Sequence, residues 1–131
     1  MEKHKEDWET VIQGMIDVVS HPGGTAYLRM GRTVKYSVAG KTGTAQVVGI
    51  PQDIKEEESR VLEEFQKDHG LFIAFAPVED PKIAVAVVVE NDSTRAVPVA
   101  KEVMDAWLLP QLANQQDLTK SPTLRIAKGA P

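Results

Sequence analysis

Cysteine is absent from the 131-residue chain, so there is no disulfide framework, no thiolate metal site and no mark of redox compartment. Histidine is scarce: His4, His21 and His69 stand far apart, each reads as a surface or turn residue, and neither a metal nor another cofactor is expected. No stretch approaches the about 18 consecutive apolar residues of a membrane span, and the opening Met1-Glu2-Lys3-His4-Lys5 is too polar for a signal peptide. An excess of positive charge is also lacking. With 15 Lys and Arg against 19 Asp and Glu the net charge is −4, which argues against a nucleic-acid partner. What remains is a chain the length of one modest domain, 42% hydrophobic and able to fill a core.

The segment Val38-Ala39-Gly40-Lys41-Thr42-Gly43-Thr44-Ala45-Gln46 sets a lysine and two threonine hydroxyls along an otherwise apolar, strand-like stretch. On an extended backbone, with a glycine that lets a ligand lie close, this set suits a substrate carrying a free carboxylate and a reacting carbonyl. Gly40-Lys41-Thr42 also looks like the end of a phosphate-binding loop, but that loop needs a glycine five residues before Gly40, where Lys35 stands. Taken alone, the triplet has a plain structural reading as well. Lys41, Thr42 and Thr44 would then be the solvated face of a half-buried strand, threonine being a good strand former.

The flanking sequence favours the functional reading. Upstream lie Trp8-Glu9-Thr10-Val11-Ile12-Gln13-Gly14-Met15-Ile16-Asp17-Val18-Val19 and Pro22-Gly23-Gly24-Thr25-Ala26; downstream lie His69-Gly70-Leu71-Phe72-Ile73-Ala74-Phe75-Ala76-Pro77 and Ile83-Ala84-Val85-Ala86-Val87-Val88-Val89-Glu90-Asn91. In this order, around Lys41-Thr42-Gly43, the set resembles the C-terminal part of the transpeptidase domain of class B penicillin-binding proteins, and most of all their elongation-type branch. The resemblance runs from about Trp8 to Leu108. Lys-Thr-Gly is the third element of that family's signature, beside S-x-x-K and S-x-N. The other two are missing. The five serines are Ser20, Ser37, Ser59, Ser93 and Ser121; three positions on stand Gly23, Gly40, Leu62, Ala96 and Leu124, and two positions on stand Pro22, Ala39, Val61, Arg95 and Thr123.

The resemblance implies an α+β, partial penicillin-binding/serine β-lactamase-like fold, with an antiparallel sheet packed against helices. It implies a peptidoglycan D,D-transpeptidase that cross-links stem peptides through an acyl-serine intermediate and is trapped by β-lactam antibiotics. Carried over residue by residue, Lys41 supplies positive charge near the substrate carboxylate and tunes the proton network, Thr42 and Thr44 place hydroxyls near that carboxylate, and the Thr44 backbone N–H is one oxyanion donor. Gly43 keeps the channel clear, and Gln46 lies at the rim or serves only as a strand residue. The implied partners are stem peptides, β-lactams, the N-terminal part of the same domain, which would hold the serine, and a membrane glycosyltransferase of the elongation machinery. The location would be the periplasmic face of the bacterial inner membrane, with the anchor upstream. A division-type enzyme, a penicillin-sensing or β-lactamase-like domain and an inactive structural fragment stay open as alternatives.

Periodicity supplies the elements. Trp8, Val11, Ile12, Met15, Ile16 and Val19 make one apolar face of a helix over about 6–19, stopped by His21-Pro22-Gly23-Gly24. Tyr27–Met30 and 36–49 are strand candidates. Residues 50–69 form an acidic insertion, with Ile54, Val61, Leu62 and Phe65 marking a short amphipathic helix. Leu71–Val78 and Ile83–Asn91 are strands joined by a tight turn at Asp80-Pro81. The unbroken apolar run Ile83–Val89 predicts burial on both faces and a central place in a sheet, next to a strand supplied by the N-terminal part of the domain. Ser93 or Thr94 is expected to cap a helix over 96–109 that Pro110 ends, leaving residues 1–110 as the transpeptidase portion and 111–131 as a disordered tail.

Overall fold

The computed structural model describes residues 4–46 and 67–120. Most of the acidic insertion, its expected short helix included, lies outside the described residues, as do residues 121–131. In chain order the elements are helix α1 (Lys5–Ser20), a π-helical turn (Tyr27–Gly31), strands β1 (Ala39–Ala45), β2 (His69–Ala76) and β3 (Ile83–Val89), and helix α2 (Ala96–Lys120). The strands form one antiparallel sheet in the order β1-β2-β3. Among the described residues no helix is long and apolar enough to cross a membrane.

The register fixes the two faces of the sheet. Thr42 stands opposite Phe72 and Phe72 opposite Val87, so Gly40, Thr42, Phe72, Ala74, Ala76, Val85 and Val87 share one face. Phe72, Ala74 and Ala76 are buried there in one cluster with Ala96, Val97, Ala100, Met104 and Leu108 of α2 and with Val19, Ala26 and Met30. Burying side chains the size of Phe72, Met30, Met104 and Leu108 contributes about 1.5–3 kcal/mol each. On α1 only the C-terminal end of the apolar stripe is covered. Val19 is buried, whereas Trp8 is 66% exposed.

Three expectations need correction. First, Tyr27–Met30 is not a strand. Backbone N–H groups of Arg29, Met30 and Gly31 all reach the Ala26 carbonyl, at 3.2, 2.9 and 3.4 Å, and Ala26 and Met30, four apart, are both buried. A glycine is required at the end of this turn, since a Cβ on Gly31 would fall 1.8 Å from the Val19 carbonyl oxygen. Second, β3 is not buried on both faces; its outer edge is unpaired among the described residues, as expected where the neighbouring strand would come from the N-terminal part of the domain. Its residues alternate between half-buried and exposed, with Val88 61% exposed, because among the described residues the second face is largely open at β3. Third, α2 runs through Pro110 to Lys120. The ring removes the bond to the Ala106 carbonyl, but Ala106 and Pro110 are both exposed, where water can satisfy that carbonyl.

The start of α2 also differs. The Val99 N–H reaches the Arg95 carbonyl at 3.1 Å, while the Thr94 amide and hydroxyl both donate to Asp92 Oδ1, at 2.9 and 2.6 Å, so neither Ser93 nor Thr94 is the cap. Two side chains just before β1 fasten it in place. The Tyr36 hydroxyl donates to Asp105 Oδ1 on α2 at 2.7 Å, and Lys101 Nζ donates to Asp105 Oδ2 at 2.6 Å. Ser37 Oγ accepts from the Val78 N–H at 2.8 Å and donates to Glu79 Oε2 at 2.6 Å. Burial and the neighbouring Asp105 push the Tyr36 phenol well above its ordinary value. Burial pushes the Asp105 carboxyl up, but the hydrogen bonds from Lys101 and Tyr36 outweigh it and hold the group below its ordinary value.

Candidate active site

Strand alternation sends Thr42 and Thr44 to the helix-covered face and Lys41 to the other. At the far end of β1 the two threonines meet the π-helical turn and the segment leading into α2, and the gap between them is a cleft of about 270 Å³. Thr25, Arg29, Thr42, Gly43 and Thr44 line one side; Ser93, Thr94, Ala96 and Val97 line the other, with Leu71 between. The hydroxyls of Thr25 and Thr42 lie 2.9 Å apart in a mutual hydrogen bond. This couples the segment before the turn to the strand on one side of the cleft.

The opposite wall is set by local chemistry. Asn91 takes a left-handed conformation, φ 58°, that an asparagine tolerates, and its N–H donates to His69 Nδ1 at 3.0 Å. The chain then passes so close to β2 that a Cβ on Gly70 would meet the Asp92 carbonyl oxygen at 2.7 Å. The Thr94 hydroxyl and amide hold the Asp92 carboxyl below its ordinary value. Thr94 is therefore committed to Asp92.

Of the residues singled out in the sequence, Thr42, Gly43 and Thr44 come together on this cleft. Lys41 and Gln46 do not line it. Lys41 is exposed and its Nζ donates to the Thr42 carbonyl at 2.6 Å, while Gln46 is exposed just beyond β1. Sequence reasoning passed over Thr25 and Arg29 as site residues. Thr25 lay within the Pro22-Gly23-Gly24-Thr25-Ala26 pattern and was legible there, but nothing in the sequence marked Arg29, which sat in a stretch read as a strand.

Residues 2–108 match the penicillin binding protein transpeptidase domain. The chain belongs to that family. Among curated relatives, it is 45% identical over 111 residues to the peptidoglycan D,D-transpeptidase MrdA of Acinetobacter baumannii, covering 83% of this chain and 16% of that protein. The Escherichia coli K12 protein of the same name is 38% identical over 128 residues, 95% of this chain and 20% of that one. Among solved structures, Pseudomonas aeruginosa PBP2 in complex with WCK 5153 superposes with a TM-score of 0.62 at 44% identity, over 79% of this chain and 20% of that one. PBP2 of Helicobacter pylori, solved in complex with MreC, gives 0.57 at 29% identity, over 79% and 17%. The three-stranded antiparallel sheet with its helices is thus a partial penicillin-binding-protein fold of the α+β class, and the chain spans about a fifth of the relatives it matches.

Proposed function

We propose that this chain is the C-terminal, substrate-binding portion of a peptidoglycan D,D-transpeptidase of the elongation type. Residues 1–110 would belong to the transpeptidase domain, with 50–69 an acidic insertion in its sequence. The observation that carries the reading is the hydroxyl-lined cleft in which Thr42, Gly43 and Thr44 meet Thr25. In this reading a serine from the remainder of the domain attacks the carbonyl of the penultimate D-alanine of a stem peptide. The C–N bond to the terminal D-alanine breaks, its nitrogen takes a proton, and an amine of a neighbouring strand later displaces the serine from the ester. A β-lactam ring would enter as the donor mimic and stop at the acyl-serine.

Each residue of the motif then has a defined task. The Thr44 backbone N–H is one oxyanion donor, and loss of such a donor costs on the order of a hundredfold to a thousandfold in rate. Thr42 and Thr44 hydroxyls hold the substrate carboxylate, and Gly43 keeps bulk out of the channel, while Gln46, which does not line the cleft, has no task in this reading. Lys41, on the other side of the strand, serves the proton network of the serine. The work would take place on the periplasmic side of the inner membrane, with an anchor in the remainder of the protein. An elongation-machinery partner akin to the MreC bound by the Helicobacter pylori relative, and a membrane glycosyltransferase, would accompany it.

The test is β-lactam acylation. In the full-length protein Lys41→Ala should slow acylation on the order of a hundredfold or more while the melting temperature stays nearly constant, since an exposed lysine contributes within about half a kcal/mol to stability. Unchanged acylation would remove Lys41 from the site. The 131-residue chain alone, having no S-x-x-K, should take up no covalent fluorescent penicillin, and a stable adduct on any of its serines would overturn the proposed division of labour.

A further inference from the structure

The cleft contains a cation that is not the signature lysine. Arg29 lines it beside Thr25, Thr42 and Thr44, and no acidic side chain is among the described residues that do so. Among the described residues Arg29 also has no carboxylate within ion-pair distance, in contrast to Lys5, Lys82, Arg95 and Lys101. Lys41, the cation of the signature itself, lies outside the cleft with its Nζ on a backbone carbonyl.

Arg29 is carried on a rigid support. The Ala26 carbonyl anchors three successive amides of the π-helical turn, and Ala26 and Met30 on either side of Arg29 are fully buried. The end of the turn is wedged by Gly31 against the Val19 carbonyl. The Thr25–Thr42 hydroxyl pair then sets the distance between turn and strand. A guanidinium offers a planar fork that matches a carboxylate with two parallel hydrogen bonds, and Thr44, together with whichever of Thr25 and Thr42 accepts in their mutual bond, leaves two hydroxyl donors around it. Cation, hydroxyls and absent acids together describe a receptor for one monoanionic, planar group.

We infer that Arg29 is a specificity-determining residue that binds the free carboxylate of the acyl donor, and of a β-lactam in its place, leaving Lys41 to the serine. The inference rests on the proposed reading of the cleft as the substrate site. It makes the enzyme discriminate between a carboxylate and the same molecule with that charge removed.

The experiment compares acylation of the full-length protein by benzylpenicillin and by its methyl ester. The wild type should prefer the acid. In Arg29→Gln the acid-to-ester ratio of second-order acylation rates should fall by at least about tenfold, because the acid loses a bidentate ion pair and the ester at most a single bond to its neutral carbonyl. Arg29→Lys, which keeps the charge and loses the fork, should fall between the two. A ratio unchanged in Arg29→Gln would overturn the inference while leaving the cleft as the site. Failure of the wild type to be acylated by either compound would overturn the reading of the cleft and the inference with it. Melting curves report whether each variant is folded, and if Arg29→Gln is not, Arg29→Lys decides by the same ratio: a fall supports the inference and no fall overturns it.

Discussion

The two faces of this sheet are built from nearly the same residue types and meet different surroundings. On one, Phe72, Ala74 and Ala76 are buried beneath α2 and the turn before β1. On the other, Ile73 is 52% exposed and Val88 61%, with Ala84 and Ala86 exposed beside them. Hydrophobicity alone therefore does not tell which face is core. That depends on which elements are present to cover it. The uncovered face is apolar enough to need cover, and the chain accounts for about a fifth of its relatives' length.

The widest separation between the faces should come from two adjacent residues of β2. Phe72→Ala removes a fully buried ring and should cost about 3–5 kcal/mol in denaturant unfolding, while Ile73→Ala should cost under about 1 kcal/mol. Were the Ile73 variant in the full-length protein to lose nearly as much as the Phe72 variant, the open face would be buried there by another part of the molecule. Two glycines of β1 offer a finer contrast. A Cβ on Gly40 would meet the Phe72 ring at 2.6 Å, whereas one on Gly43 meets Leu71 at an ordinary 3.4 Å. Gly40→Ala should therefore destabilise by about 1–3 kcal/mol, and Gly43→Ala by less than about 1 kcal/mol with its effect confined to acylation. Equal melting temperatures for the two would contradict the packing described here.

The smallest effect concerns charge on the helix-covered side. The Asp105 carboxyl is held below its ordinary value, so the stability it contributes is present above the unfolded-state value near 3.8 and is lost as pH falls through the lowered folded-state value. Asp105→Asn should flatten the acid limb of a plot of melting temperature against pH, and leave its slope above neutral pH unchanged. An acid limb identical to the wild type would mean that the carboxylate contributes nothing through Lys101 and Tyr36.

The sequence was most legible where a period and a boundary agreed. Helix α1, the pairing of β2 with β3 and the start of α2 near Ala96 followed from spacing and turn chemistry. It was least legible where one pattern serves two structures. Tyr27–Met30 is short enough that a strand and one helical turn have equal claim, and only the burial of Ala26 with Met30 separates them. A run such as Ile83–Val89 has no polar residue to mark its open face, so its exposure depends on neighbours rather than on its own composition. Pro110 reads as a stop in any local view, yet an exposed proline deprives the helix of one bond whose carbonyl water can reach. At the site, the threonines announced themselves through their motif. Arg29 did not, because its place beside them is made by a turn that sequence alone does not reveal.

Strand β1 is moored at one end. Tyr36 and Ser37, just ahead of it, are pinned to α2 and to the loop after β2 respectively. At its other end the side-chain tether is the single Thr25–Thr42 bond. The ribbon of β1 and β2 is thus held unequally: β1 by side chains at its root, and β2 at the tip by the Asn91–His69 bond. The cleft therefore borders the end of β1 whose hold comes through its neighbour strand, so a substitution at His69 or Asn91 would reach Thr44 without touching it.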